Sequence, residues 1–173
     1  MNVGGCVDIG GFCGRRCCGI LFGMAETMAY VLVHLVFSTK RRKPWFNDGL
    51  RGELHTQLAS VLSHSENICL SVGGAADHVH IALFLARNES VKHLVERVKG
   101  ASSKWIIGKG PEFKSFRWQQ GYAAFSAGLS DRAALVRYIE AQAAYHQRHD
   151  FQAEMRAIFA KYEVGFDEQF VWN

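Results

Sequence analysis

Two histidines that flank one valine, His78 and His80, have the spacing that a metal site on a β-strand requires. Successive side chains of a strand point to opposite faces, so both imidazoles project from one face, about 7 Å apart, and Val79 packs on the other. Two imidazoles at this separation are able to share one divalent ion. The alternative interpretation is a pair of surface histidines on a half-exposed strand.

A turn and a carboxylate precede this histidine pair. Gly73 and Gly74 predict a tight turn. Asp77 directly precedes His78, and we expect it to hydrogen-bond a ligand imidazole and so fix its orientation.

A tyrosine and a glutamine four residues apart supply the second half of the predicted site. The spacing of Tyr138 and Gln142 places both side chains on one face of a helix, one turn apart. We expect the amide oxygen of Gln142 to be a third ligand and Tyr138 to be a nucleophile that attacks a phosphate. Because Tyr138 lies beside Val136 and Ile139, an ordinary core tyrosine is the alternative.

The predicted ligands, two imidazoles and one amide oxygen, carry no charge. Such a set suits Mg²⁺ or Mn²⁺ acting on a phosphate, because the anionic substrate supplies the missing negative ligand. Zn²⁺ is a further candidate. A free tyrosine has a pKa of about 10, so a base must assist its deprotonation. His146 and His149 follow Tyr138 along the chain, but the sequence does not identify either as that base.

Hydrophobic periodicity predicts the elements that position these residues. Strands are predicted at 29–38, 67–72 and 77–86, with an extended aromatic segment at 116–128. Helices are predicted from Asn47 or Asp48 to about 64, from Asn88 to about 105, from 130 or 131 to about 150, and over 151–162. The order β, α, β, β, α, β predicts an α+β, ferredoxin-like (RRM-like) split βαβ sandwich. It has an antiparallel sheet with helices on one face, followed by C-terminal helices.

Composition limits the class of protein. A chain of 173 residues with 49% hydrophobic residues fits one globular domain. The net charge of +4 is compatible with a polyanionic partner. No stretch is long and apolar enough to span a membrane, so we expect no membrane partner. Cys69 stands alone in an apolar run, nothing argues for disulfides, and a cytoplasmic location is expected.

The first 27 residues differ from the rest of the chain. The glycine-rich start lacks the basic beginning and apolar run of a signal peptide. Its cysteine spacing fits no paired zinc motif. We therefore predict that residues 1–27 are a disordered extension, with Met24 and Met28 as alternative starts, and that residues 28–173 form the domain. The cysteines of this segment are Cys6, Cys13, Cys17 and Cys18.

Five segments resemble, in order and spacing, the single-tyrosine HUH transposases of the insertion-sequence 200/605 group. The resemblance runs from about Met28 to the C-terminus. The segments are VHLVFSTKRRKPWF (33–46), VGGAADHVHIAL (72–83), VKGASSKWI (98–106), WQQGYAAFS (118–126) and VRYIEAQAAYHQR (136–148).

This resemblance implies a metal-dependent enzyme that cuts one DNA strand and joins its 5′ end to a tyrosine, leaving a free 3′-hydroxyl. Rejoining reverses the attack, so no ATP is needed. Members recognise single-stranded DNA with hairpin ends and act as dimers, in some of which the tyrosine helix of one subunit completes the other's site. Matched motif to motif, Tyr138 is the nucleophile, and His78, His80 and Gln142 are the metal ligands.

Cations and aromatic side chains predict DNA contacts. A basic run follows the first strand, and further cations lie on the second helix, where they are placed to contact phosphates. A tryptophan after that helix is a candidate for stacking on an unpaired base, although such aromatic side chains more often belong to a core. The residues are Lys40, Arg41, Arg42, Lys43, Lys104 and Trp118.

Other functions stay open at this point. The chain fits a non-catalytic or domesticated module that binds structured nucleic acid without cutting it. It also fits a small metallohydrolase that uses the histidine pair to activate water. A replication or conjugation nickase of the wider HUH class is a third possibility. Tyr145, seven residues after Tyr138, is a substitute nucleophile.

Overall fold

The computed structural model describes residues 28–168. The predicted N-terminal extension, with its four cysteines, lies outside the described residues. The strands are β1 (Val31–Ser38), β2 (Ile68–Gly74), β3 (His78–Leu85) and β4 (Ala123–Ser126). The helices are α1 (Asp48–Ser63), α2 (Val91–Ile107), α3 (Arg132–Glu140), α4 (Gln142–Tyr145) and α5 (Phe151–Lys161).

The four strands form one antiparallel sheet in the order β2-β3-β1-β4. Helix α1 connects β1 to β2, and α2 lies between β3 and β4. This is the split βαβ arrangement, so the predicted ferredoxin-like fold is confirmed. None of the described helices has the length and apolar character needed to span a membrane.

The two faces of the sheet have different environments because side chains alternate along each strand. One face carries apolar residues, such as Leu35 of β1 and Ile81 of β3, into the main core beneath α1 and α2. The opposite face carries His34 and Val36 of β1 and the two histidines of β3. The C-terminal helices pack on this second face: Phe151 and Met155 of α5 join Val36 in a smaller apolar cluster.

Helices α1 and α2 begin at capping side chains. Asn47 accepts a hydrogen bond from the backbone N–H of Leu50 at 2.9 Å, as the sequence predicts. The cap of α2 is Ser90, which accepts from His93 N–H at 3.2 Å. The predicted start at Asn88 is therefore wrong by two residues.

Three other predicted boundaries are wrong for physical reasons. Strand β2 continues through Gly74, so the turn falls at 75–77 instead of at the glycine pair. Of the segment 116–128, only Ala123–Ser126 forms a strand, because Phe116 and Trp118 turn into the main core. The helix predicted to run to 150 is interrupted at Ala141, which separates α3 from α4.

A candidate metal and nucleophile site

His78 and His80 are both buried, with 1% and 0% of their surface exposed. Their rings lie 5.2 Å apart, centroid to centroid, on the face of β3 that the C-terminal helices cover. Each has a buried Nε2 atom without a hydrogen-bond partner. They are not the surface histidines of the alternative interpretation. Buried polar atoms are normally satisfied, so two orphaned imidazole nitrogens on one strand indicate a missing ligand.

Each of these imidazoles is held through its other nitrogen. The Nδ1 of His78 lies 2.7 Å from Oδ1 of Asp77, the residue for which the sequence predicted this role. The Nδ1 of His80 lies 3.0 Å from Nε2 of His34, a buried histidine of β1 that sequence reasoning missed. The ionised Asp77 carboxylate only accepts, so Nδ1 of His78 carries the hydrogen and its Nε2 keeps the lone pair. The contact with His34 fixes the orientation of the His80 ring.

Burial keeps the site's inner histidines neutral. It lowers the pKa of His34 to about 3, with the neighbouring His80 adding to the effect. It also lowers the pKa of His80 to about 4. Burial alone would raise the pKa of Asp77, but hydrogen bonds from His78 and Arg42 hold it below its ordinary value. Neutral imidazoles beside an ionised carboxylate are the protonation states that metal binding requires.

Tyr138 and Gln142 meet at one carboxylate, that of Glu154 on α5. The Tyr138 hydroxyl and the Gln142 amide nitrogen both donate to Glu154 Oε1, the amide at 2.7 Å. The buried Oε1 of Gln142 has no partner. The Tyr138 ring also lies 5.9 Å from that of His80. All four residues predicted to carry the chemistry are thus brought together within a single chain.

Glu154 and His146 belong to the same cluster. The Nε2 of His146 is 2.9 Å from Oε2 of Glu154, and that of His80 is 3.5 Å from the same oxygen. One donor atom from each of His78, His80, His146 and Glu154 lies within 4.8 Å of all the others. The sequence predicted the helix that carries Glu154 but gave this residue no role. One signal could have identified Glu154: its carboxylate lies between Phe151 and Met155 on the apolar face of the helix, where a charged side chain is unusual.

The charges in this cluster are strongly coupled. Burial alone would raise the pKa of Glu154, but the imidazoles of His146 and His80 and the Tyr138 hydroxyl hold it far below its ordinary value. Burial and then the same carboxylate raise the pKa of Tyr138 above its ordinary range. The phenol is therefore protonated here. A cation bound at the cluster would act in the opposite direction and favour the phenolate.

The basic run after β1 divides into exposed and engaged cations. Lys40 and Arg41 are exposed. Arg42 instead donates to Oδ2 of Asp77 at 3.1 Å and lies 3.6 Å from Asp150. It therefore holds the carboxylate that contacts His78. Lys43 is exposed as well, but its ammonium lies over the ring of Trp45, 3.8 Å from the centroid. Free cations for a phosphate backbone are thus concentrated at the start of the run.

Two other residues predicted to bind DNA lie elsewhere. Lys104 is exposed on α2, across the sheet from the histidines. Trp118 is only 8% exposed and packs in the main core, where its indole N–H donates to Ser102 at 2.9 Å. Its ring faces Phe37 and Phe116. The prediction that Trp118 stacks on a base is wrong, because its ring is already covered by protein.

Tyr145, the substitute nucleophile, has different surroundings from Tyr138. Its ring stacks on His149 with centroids 4.2 Å apart. The ring of Tyr138 instead lies edge-on to both His34 and His80. The geometry therefore favours Tyr138 over Tyr145 for chemistry at the histidine pair.

Comparison with known families agrees with this geometry. The profile of the family described as "Transposase IS200 like" matches residues 27–142, which include the histidine pair, Tyr138 and Gln142. The chain belongs to this family of transposases. The resemblance inferred from the sequence motifs is thus confirmed.

Solved structures show the same fold. A "putative transposase" from Deinococcus radiodurans R1 is 22% identical and covers 72% of this chain and 98% of its own, with a TM-score of 0.55. A REP-associated tyrosine transposase bound to a REP hairpin is 14% identical and covers 71% of this chain and 74% of its own, with a TM-score of 0.52. No match was found among curated proteins.

Proposed function

We propose that this transposase cuts and rejoins single-stranded DNA through a covalent bond between Tyr138 and a 5′-phosphate. One observation carries the proposal. The Tyr138 hydroxyl lies in the same buried cluster as two histidines whose Nε2 atoms have no partner. A phenol beside a pair of orphaned metal ligands is the arrangement that nucleophilic attack on a phosphate requires.

The residues present fit a divalent ion. The free Nε2 atoms of His78 and His80 and the free Oε1 of Gln142 form the mixed nitrogen and oxygen set expected for Mn²⁺ or Mg²⁺. When bound, such an ion supplies Lewis-acid polarisation of the phosphate and offsets its charge. Asp77 and His34 hold the two imidazoles in the orientation that this role needs.

Tyr138 would carry the covalent step. Its oxygen forms a bond to the scissile phosphorus while the bond from phosphorus to the 3′-oxygen breaks. The phenol proton is lost to solvent, because the pKa of Glu154, its hydrogen-bond acceptor, lies too low for that carboxylate to keep the proton. The leaving 3′-oxygen takes up a proton and becomes a free hydroxyl. Attack by a 3′-hydroxyl on the phosphotyrosine runs the same bond changes backwards, so rejoining conserves the bond energy.

Single-stranded DNA with hairpin ends is the proposed substrate, and exposed Lys40 and Arg41 are the proposed phosphate contacts. The hairpin in the similar REP-associated structure supports this choice. A DNA substrate also supports the cytoplasm as the proposed location. We also propose that the protein forms a homodimer, as its resemblance to the family implies. Because Tyr138 reaches His80 within one chain, we propose that each subunit carries its own complete site.

A strand-cleavage assay tests this function. A hairpin oligonucleotide labelled at either end is incubated with Mn²⁺ and the wild type, Tyr138→Phe or the matched control Tyr145→Phe. We expect the wild type and Tyr145→Phe to release a free 3′-hydroxyl and to retain the other label on the protein. Tyr138→Phe should do neither. DNA binding without cleavage by the wild type would instead indicate the non-catalytic module. A free 5′-phosphate released by Tyr138→Phe would indicate a metallohydrolase.

A further inference from the structure

Three histidines of the candidate site share one arrangement. In each, Nδ1 is held by a neighbouring group, so that Nε2 is the atom that faces the cluster. For His146 the neighbour is a backbone carbonyl, which only accepts, so Nδ1 must carry the hydrogen. The pairs are His78 with Asp77 at 2.7 Å, His80 with His34 at 3.0 Å, and His146 with the carbonyl of His149 at 2.9 Å.

Glu154 lies where these Nε2 atoms converge. Its Oε2 is 2.9 Å from Nε2 of His146 and 3.5 Å from that of His80. Ligand atoms about 2.1 Å from one ion stand roughly 3.0–3.5 Å apart in octahedral or tetrahedral geometry. The separations in the protein already match that spacing, and all four donor atoms fall within 4.8 Å of one another.

We propose that His146 and Glu154 are metal ligands in addition to His78, His80 and Gln142, so that three imidazoles and one carboxylate supply most of the ligand atoms. The inference rests on the proposed function for the location of the site. The Gln142 amide N–H donates to Oε1 of Glu154 at 2.7 Å, whereas its own buried Oε1 has no partner. Gln142 therefore orients the carboxylate and keeps its predicted place as an oxygen ligand.

The proposed ligand set determines which metal the site prefers. Imidazole nitrogens favour Mn²⁺, Co²⁺ or Zn²⁺ over Mg²⁺, which prefers oxygen ligands and keeps its waters. Since Glu154 lies on α5 and His146 lies after α4, the ion would also tie the C-terminal helices to the sheet. Metal binding should therefore stabilise the whole face that carries Tyr138.

Metal titration in the absence of DNA tests this assignment. Metal-free full-length protein is titrated with Mn²⁺, followed by electron paramagnetic resonance of the free ion, and with Co²⁺, followed by visible absorption. We expect Glu154→Gln and His146→Gln each to weaken Mn²⁺ binding by at least about 10-fold and to reduce the Co²⁺ absorption. Gln142→Ala should weaken binding less than either. The matched controls Glu140→Gln and His64→Gln, both at exposed positions, should bind as the wild type does.

The opposite pattern would overturn the inference. Unchanged affinity in Glu154→Gln and His146→Gln, with a large loss in Gln142→Ala, would mean that Gln142 is the third ligand and that His146 and Glu154 do not bind the ion. A second measurement does not depend on how the variants fold. In crystals of the wild type soaked in Mn²⁺, the anomalous peak should lie about 2.0–2.4 Å from Oε2 of Glu154 and Nε2 of His146. A peak bound by His78 and His80 but more than about 4 Å from Glu154 would contradict it.

Failure of this inference and failure of the proposed function are separable. The titration needs no DNA and no reaction. A wild type that forms the tyrosine adduct while Glu154→Gln binds Mn²⁺ normally would leave the function standing and remove the ligand assignment. A wild type that binds Mn²⁺ through Glu154 but never forms an adduct would support the ligand assignment and contradict the proposed function.

Discussion

Gly73 of β2 lies directly against the backbone of Ile139 in α3. A Cβ atom built on Gly73 would stand 2.0 Å from the carbonyl oxygen of Ile139, closer than any real contact. Ile139 follows Tyr138 in the chain, so this close approach sets the position of Tyr138, the proposed nucleophile, over the sheet. The glycine was predicted to form a turn, but its role here is to let a helix approach a strand.

Gly73→Ala should therefore displace α3 and Tyr138 with it. We expect a loss of stability of about 1–3 kcal/mol, as for overpacked cores, and a fall in strand cleavage of at least about 10-fold. Urea unfolding and cleavage rates measure the two effects. Gly100→Ala in α2 is the matched control, because a Cβ there meets nothing within 4 Å. The control should stabilise by about 0.5–1 kcal/mol and cleave normally. Normal stability and cleavage in Gly73→Ala would show that α3 does not need this contact.

His34 should determine how tightly His80 binds a metal. His34→Leu removes the group that holds Nδ1 of His80 while keeping an apolar side chain in the buried position. We expect Mn²⁺ affinity to fall by about 10–100-fold with the fold retained, as for partners of ligand histidines in other sites. Calorimetric titration and circular dichroism check the two statements. An affinity equal to that of the wild type would mean that His80 is oriented without His34.

Acid should destabilise the metal-free protein. Burial lowers the pKa of His34 to about 3 and of His80 and His55 to about 4, whereas unfolded histidine titrates near 6.5. Between pH 6.5 and 5 the unfolded chain binds more protons than the folded chain, so stability falls as the pH falls. The raised pKa of His146 has the opposite sign and acts above pH 6.5.

We expect a loss of about 1 kcal/mol per pH unit for each lowered histidine in that range. Urea unfolding in EDTA at several pH values measures the slope. His55 lies on α1, away from the candidate site, so His55→Gln should flatten the slope without changing metal binding. A stability that is constant from pH 7 to 5 would contradict the buried, neutral state of these histidines.

Lys40 and Arg41 should contribute to DNA affinity without reading its sequence. Replacing both with alanine should weaken hairpin binding equally for different sequences. It should also reduce the slope of log K against log salt by roughly 0.7–0.9 for each lost phosphate contact. Fluorescence anisotropy at several salt concentrations gives this slope. Lys114→Ala, at an exposed position after α2, is the control. An unchanged slope in the double variant would place the DNA on another surface.

Local sequence patterns were sufficient for the parts of the site that are close together in the chain. Alternation along a strand placed His78 and His80 on one face. Helical spacing placed Tyr138 and Gln142 together, although a break at Ala141 divides the predicted helix between them. The contact between His34 and His80 could not be predicted in this way. It depends on the pairing of β1 with β3, in which Val36 lies opposite His80. That register is a tertiary property that neither strand reveals alone.

Glu154 and Trp118 show two other limits. The periodicity of the last helix shows an apolar face but not what that face packs against, so the carboxylate within it had no visible partner. Trp118 follows a helix in a segment that looks extended and exposed, yet it closes the main core beside Phe37. Composition alone does not separate an aromatic residue that stacks on a base from one that fills a core.

Peptide mapping of the covalent complex is the most direct test of the central claim. Protein trapped with a hairpin oligonucleotide and Mn²⁺ is digested with nuclease and trypsin, and the peptide covering residues 138–148 is fragmented in a mass spectrometer. This peptide contains both Tyr138 and Tyr145, so the fragments separate the two candidates. We expect a nucleotide 5′-phosphate on Tyr138. A nucleotide on Tyr145, or cleaved DNA with neither tyrosine modified, would contradict it.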